Sequence, residues 1–154
     1  MSLASLVHPH VEVIPRPRMN LWGKLDAIGL VVLGLGALAG GVALVARPDG
    51  SIMHFDVSIL AGSPFADFTI PGLILGGLFG VGSLAVAVLG LYRSRLAPFL
   101  AFAIGVGQML WIVIQLSIIK ELSFLHPTMF GIGLVIAAAS IPWGWATFRA
   151  WRRG

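Results

Sequence analysis

The sequence predicts an all-α, polytopic membrane protein: an antiparallel four-helix transmembrane bundle with an interfacial external loop between helices 1 and 2. Three observations carry that prediction. Apolar residues make up 58% of the 154-residue chain against 10% charged, and mean hydropathy is +0.97, outside the range of soluble globular domains. Four apolar stretches, each close to the ~20 residues a helix needs to cross ~30 Å of hydrocarbon, divide the chain. The ten basic residues stand at the ends of those stretches, as topology signals do. The pI near 10.8 therefore points to a membrane and not to nucleic acid, because no one soluble face gathers the cations. Cysteine is absent, which excludes disulfides, thiolate metal sites and thiol–disulfide chemistry, quinone-linked four-helix oxidoreductases included.

Residues 1–25 read as a cytoplasmic tail. They carry three prolines and His8-Pro9-His10 and lack the apolar run and small-residue cleavage site of a signal peptide. Trp22 and Lys24 mark the interface, and residues 26–149 form a single transmembrane domain with spans at about 27–46, 70–92, 96–119 and 128–148. The first span holds no polar side chain, and Gly36, Ala37, Gly40 and Gly41 give it small-xxx-small spacings suited to close helix packing. Arg47-Pro48-Asp49-Gly50 supplies its stop and turn.

The segment 47–69 is polar in places yet rich in Ile, Phe, Val and Leu, so it is expected to lie on the membrane surface. Ser63-Pro64 reads as a cap followed by a proline at a first helical position. Asp67 is the last charge before a long uncharged run, and Pro71 sits where a first helical turn tolerates proline, which starts span two at about Ile70. Gly72, Gly76 and Gly80 then recur every four residues on one face, a packing seam. Arg93-Ser94-Arg95 connects spans two and three so tightly that they must be antiparallel neighbours. Span four follows His126-Pro127, and Pro142 should kink it by removing the bond to the carbonyl of Ala138. Trp143, Trp145 and Trp151 with Arg149, Arg152 and Arg153 form an aromatic and basic anchor, and residues 150–154 are a basic end.

Eight basic residues (Arg16, Arg18, Lys24, Arg93, Arg95, Arg149, Arg152, Arg153) fall on the side of the termini and two (Arg47, Lys120) on the other. The positive-inside rule then puts both termini in the cytoplasm of a bacterial cell and the loops 47–69 and 120–127 outside.

Several of these features resemble a family of uncharacterised small four-span bacterial integral membrane proteins. They are Gly40-Gly41, Pro48-Asp49-Gly50-Ser51, Ser63-Pro64-Phe65 with Asp67-Phe68 and Ile70-Pro71-Gly72-Leu73-Ile74-Leu75, and Trp111 with Gln115. The resemblance covers most of the chain from span one to span four. It implies the fold, and no activity.

Gln108, Trp111 and Gln115 share one stripe of span three. They either hydrogen-bond neighbouring helices or, with His126, line a polar and aromatic ligand pocket opening outward, since Gln115 lies only ~8 Å of helical rise from Lys120. Asp49, Ser63, Asp67, Pro71 and Gly72 read as a structural motif, with Asp67 accepting hydrogen bonds near a positive helix end. The external groups Asp49, His54, Asp56, Asp67, Glu121 and His126 lack metal-ligand spacing, although His54 and Asp56 would share a side in an extended stretch. No metal and no cofactor are expected. A proton-coupled transporter is disfavoured because spans one to three appear free of charge, and covalent hydrolysis because Ser83, Ser117 and Ser140 have no histidine at their depth. The reading is a non-enzymatic accessory or small-ligand- and lipid-binding subunit of the inner membrane, in contact with the bilayer and with another membrane protein or a second copy. The alternative is a membrane enzyme or small transporter with an outward-facing polar pocket.

Overall fold

The computed structural model describes residues 19–119 and 123–152; the tail up to Arg18, Lys120-Glu121 and Arg153 lie outside the described residues. The chain is all-helical, with four helices long and apolar enough to cross a membrane: α1 (Leu21–Ala46), α2 (Thr69–Leu91), α3 (Ala97–Ile119) and α4 (Leu125–Trp151). Each packs on its neighbours in chain order, and α4 closes the ring against α1; the most extensive pairs are α1 with α2 and α3 with α4. One end of the bundle carries the start of α1 and the end of α4, here termed the terminal end. The other, the loop end, carries residues 47–68.

α1 starts six residues before the expected span. Asn20 caps it, its side chain accepting the Gly23 N–H at 2.9 Å, which satisfies one of the orphan donors of the first turn. Asp26 is consequently a second-turn residue of α1, fully buried.

α2 contains a π-helical stretch, Ile74–Val81, between two α-helical ends. Gly72, Gly76 and Gly80 all meet α1. A Cβ at Gly76 would lie 3.3 Å from the Gly41 Cα, and one at Gly80 would lie 3.0 Å from the backbone of Leu38. At Gly76 and Gly41 the two backbones approach this closely because glycine stands on both sides of the contact. α3 and α4 cross at a second glycine pair: a Cβ on Gly105 would fall 2.7 Å from the Gly133 carbonyl oxygen.

α4 begins at Leu125, so Pro127 lies inside its first turn rather than before it, and the helix runs on through Pro142. Ser63 does not cap a helix. Its hydroxyl accepts the Phe65 N–H at 3.2 Å in a bend, and α2 begins only at Thr69.

The segment 47–68 folds over the loop end. Leu60 and Phe68 are buried with Leu44 of α1, and Met53, Val57 and Phe65 pack around them, which accounts for the apolar residues in a connecting segment. The Phe68 N–H donates to the Pro48 carbonyl at 3.0 Å and closes the loop at its base. Gly50 turns the chain at φ +79°, where a side chain would strike the Phe55 carbonyl.

Candidate functional site

Polar side chains buried among apolar helices either hydrogen-bond a neighbouring helix or mark a site. Four stand out here: Asp26 on α1, Ser83 on α2, Gln108 on α3 and Ser140 on α4 are each at most 3% exposed. Asp26 and Ser140 meet. The Ser140 hydroxyl lies 3.0 Å from Asp26 Oδ2 and 2.7 Å from the carbonyl oxygen of Ile136 one turn back. A hydroxyl has a single proton to donate, so these two acceptors share it, and Asp26 Oδ1 has no hydrogen-bond partner at all among the described residues. The helix that was expected to be free of charge thus contains a carboxylate short of donors. The transporter argument from absence does not hold for α1.

Ser140 has a second neighbour, a cleft of about 360 Å³ between the terminal-end halves of α3 and α4. Its cause is local. α4 presents two short side chains one turn apart, Ser140 and Gly144, opposite Pro98 of α3. Large residues flank the gap: Phe99 and Phe102 on α3, and Ile141, Trp145 and Phe148 on one stripe of α4. All five flanking residues are substantially exposed, so the cleft opens sideways, toward where bilayer chains would lie around these apolar helices. Ser140 therefore joins an apolar cleft to a buried carboxylate.

At the terminal end the cleft walls continue into stacked cations. The Arg149 guanidinium carbon lies 6.0 Å from the centre of the Trp145 ring, that of Arg152 lies 4.7 Å from the Phe148 ring, and that of Arg95 lies 5.4 Å from the Trp151 ring. The Phe148 and Trp151 rings are themselves 6.1 Å apart, which makes the group one aromatic and basic surface. A smaller cavity of about 70 Å³ lies between Asn20, Gly90 and Trp143, too small for more than a few water-sized molecules.

The stripe anticipated on α3 is present, but its members have separate surroundings. Gln108 is buried with its Cβ and Cγ over Gly133, and its Oε1 has no partner among the described residues. Trp111 packs on Phe79 of α2 with ring centres 6.0 Å apart, and its Nε1 likewise finds no acceptor among the described residues. Gln115 is half-buried. His126 instead accepts the Ser123 N–H through Nδ1 at 3.1 Å, a bond internal to the start of α4. None of these four residues lines either cavity described above.

The loop acids are engaged one by one. Asp49 Oδ1 accepts from the Ser51 N–H and hydroxyl, Asp56 Oδ1 from the Ser58 N–H, and Asp67 Oδ1 from the Thr69 N–H at 2.8 Å in the first turn of α2. The Ser51 N–H and hydroxyl hold the Asp49 carboxyl below its ordinary value, as the Ser58 hydroxyl and N–H do for Asp56. His54 adopts a left-handed conformation at φ +56°, so it and Asp56 do not share a side of an extended strand. Among the described residues no three histidine, aspartate or glutamate side chains converge. Pro71 and Gly72 are buried against α1.

No protein-family model, curated protein or solved structure matches the chain.

Proposed function

We propose that this multi-pass membrane protein resides in a bacterial inner membrane with both termini in the cytoplasm, and that it binds a bilayer lipid or lipid-like molecule without transforming it. The observation that carries the reading is the lateral cleft between α3 and α4. Its volume of about 360 Å³ falls in the range of small-molecule sites, and apolar walls around a single polar group are the usual composition of such sites. Ser140, its hydroxyl proton shared between Asp26 and the Ile136 carbonyl, is the hydroxyl-bearing residue of the cleft lining. Among the described residues its hydroxyl has a carboxylate beside it but no imidazole, because His54 and His126 sit at the loop end, which favours holding a ligand over attacking one. The eight-to-two distribution of basic residues supports the orientation, and the resemblance to small four-span bacterial proteins supports the membrane.

Gly144→Leu tests the reading. A Cβ at this position would meet only Pro98, at an ordinary 3.7 Å, so a leucine fills the cleft without displacing backbone. The wild type should carry a co-purifying lipid-like adduct in native mass spectra, and the variant should lose it with its melting temperature unchanged or raised. An adduct retained in full by the variant would refute the cleft as the site.

A second reading, a small transporter, draws on the carboxylate buried in α1. It requires Asp26→Asn to abolish uptake into vesicles while leaving the adduct in place.

A further inference from the structure

We infer that the cleft between α3 and α4 selects an anionic phospholipid, with an acyl chain between the helices and the phosphate held by Arg149 and Arg152 beside Arg95. The inference rests on the lipid-binding reading above and adds the chemistry of the headgroup. Trp145 and Phe148 are cleft walls, and the guanidinium groups of Arg149 and Arg152 lie over those same two rings. The cations therefore border the cleft itself. A guanidinium is planar with its N–H donors in that plane, a fork able to grip two phosphate oxygens at once. Arg95 joins from the α3 side through Trp151, whose ring touches that of Phe148.

The register along α4 fits a lipid standing upright. Nine residues separate Ser140 at the cleft floor from Arg149, or ~13.5 Å of helical rise, so a phosphate at the arginines sends its chain along the aromatic walls toward Ser140. Charge complementarity favours an anion. Among the described residues the sole acid at the terminal end is Asp26, which is fully buried, whereas Asp49, Asp56 and Asp67 are all at the loop end. Clusters of basic residues between helix ends on the cytoplasmic side suit anionic headgroups in general. Here the aromatic cleft directly beneath them provides a place for the chain, which a diffuse surface attraction would lack.

The test uses the full-length protein, delipidated and re-equilibrated with phosphatidylglycerol or phosphatidylcholine of identical acyl chains, with retained lipid counted by native mass spectrometry. The wild type should retain one phosphatidylglycerol in preference to phosphatidylcholine by roughly tenfold or more, from about one charge contact per arginine. The double variant Arg149→Gln/Arg152→Gln should retain the two lipids equally and weakly. The paired variant Arg149→Lys/Arg152→Lys should keep part of the preference, since it keeps charge but not the fork geometry. Gly144→Leu should lose both lipids. Inorganic phosphate at millimolar concentration should not displace the retained lipid. If the glutamine variant keeps the full preference while Gly144→Leu releases both lipids, the headgroup assignment fails and the cleft reading stands. If Gly144→Leu keeps its phosphatidylglycerol, or free phosphate displaces it, the arginines act without the cleft and both fail. Melting curves on every variant identify any loss caused by unfolding, and an unfolded variant is replaced by the corresponding single substitution.

Discussion

The contact between Asp26 and Ser140 joins α1 to α4 across 114 positions of sequence, and a double-mutant cycle measures what it contributes. Ser140→Ala removes the hydroxyl that lies 3.0 Å from Asp26 Oδ2. Because Oδ1 already has no partner among the described residues, the alanine leaves a buried carboxyl with no donor, and the cost of an unsatisfied group of this kind is ~1–3 kcal/mol. The lower half of that range is expected, since the hydroxyl is shared with the Ile136 carbonyl at 2.7 Å and hydrogen bonds between helices in membranes average below ~1 kcal/mol. Asp26→Ala removes the group that requires satisfaction, so Ser140→Ala in that background should cost almost nothing. The expected coupling is ~0.5–1.5 kcal/mol, read from unfolding by sodium dodecyl sulfate in mixed micelles. The fully buried position of Asp26 keeps water from replacing the lost donor, which is why the effect should survive detergent. Additivity of the two substitutions within ~0.3 kcal/mol would show that the contact holds nothing together and would refute the account of the site.

Three other outcomes are expected. Gly76→Leu should destabilise the bundle by at least ~1–3 kcal/mol, since its Cβ would already lie 3.3 Å from the Gly41 Cα, whereas Val88→Leu, at a site 47% exposed, should stay within ~0.5 kcal/mol; equal melting temperatures would remove the seam as a packing surface. Single cysteines at Ser51 and Ser123 should react with an impermeant thiol reagent on intact cells while one at Ser94 should not, and labelling of Ser94 alone would reverse the proposed orientation. Gln108→Leu should be neutral or stabilising by up to ~1 kcal/mol because Oε1 has no partner among the described residues to lose; a loss of more than ~1 kcal/mol in detergent would show that the glutamine makes a contact the leucine cannot replace.

The four helices were legible because a run of ~20 apolar residues has few alternatives in water or lipid. The start of α1 was not. Trp22 and Lys24 read as interface because hydropathy marks where charge begins, and the helix begins earlier, at the cap. The local signal was Asn20, three residues before the Gly23 whose N–H it accepts. The glycine seam could be read from α2 alone, but that Gly41 stands opposite Gly76 required the partner helix. Likewise the stripe Gln108-Trp111-Gln115 follows from helical period, while its division between Gly133 on α4 and Phe79 on α2 depends on how α3 is rotated in the bundle. Asp26 and Ser140 carry no mutual signal at all. Each is a lone polar residue, and only the closing of the ring by α4 brings them together.

The position of the cleft follows from where the helices can touch. Glycine pairs fix two close approaches, Gly41 with Gly76 between α1 and α2, and Gly105 with Gly133 between α3 and α4. The first lies near the loop end, where residues 47–68 also pack down on Leu44. The second lies near the middle of its pair, with the chain beyond it unsealed. From Gly133 toward the end of α4 the contact relaxes, from a would-be Cβ 2.9 Å from backbone at Gly133 to one 3.7 Å from a side chain at Gly144. The helices thus open on the side of the termini, where Trp145, Phe148 and the arginines stand. A molecule entering there need not break either glycine contact. Widening of the cleft would pivot on Gly105 and Gly133 and shift Ser140, together with α4, relative to Asp26. Occupancy of the cleft and the strength of the buried hydrogen bond should therefore be coupled, and lipid added to the double-mutant cycle should change the Asp26–Ser140 coupling energy while leaving the Gly76→Leu penalty untouched.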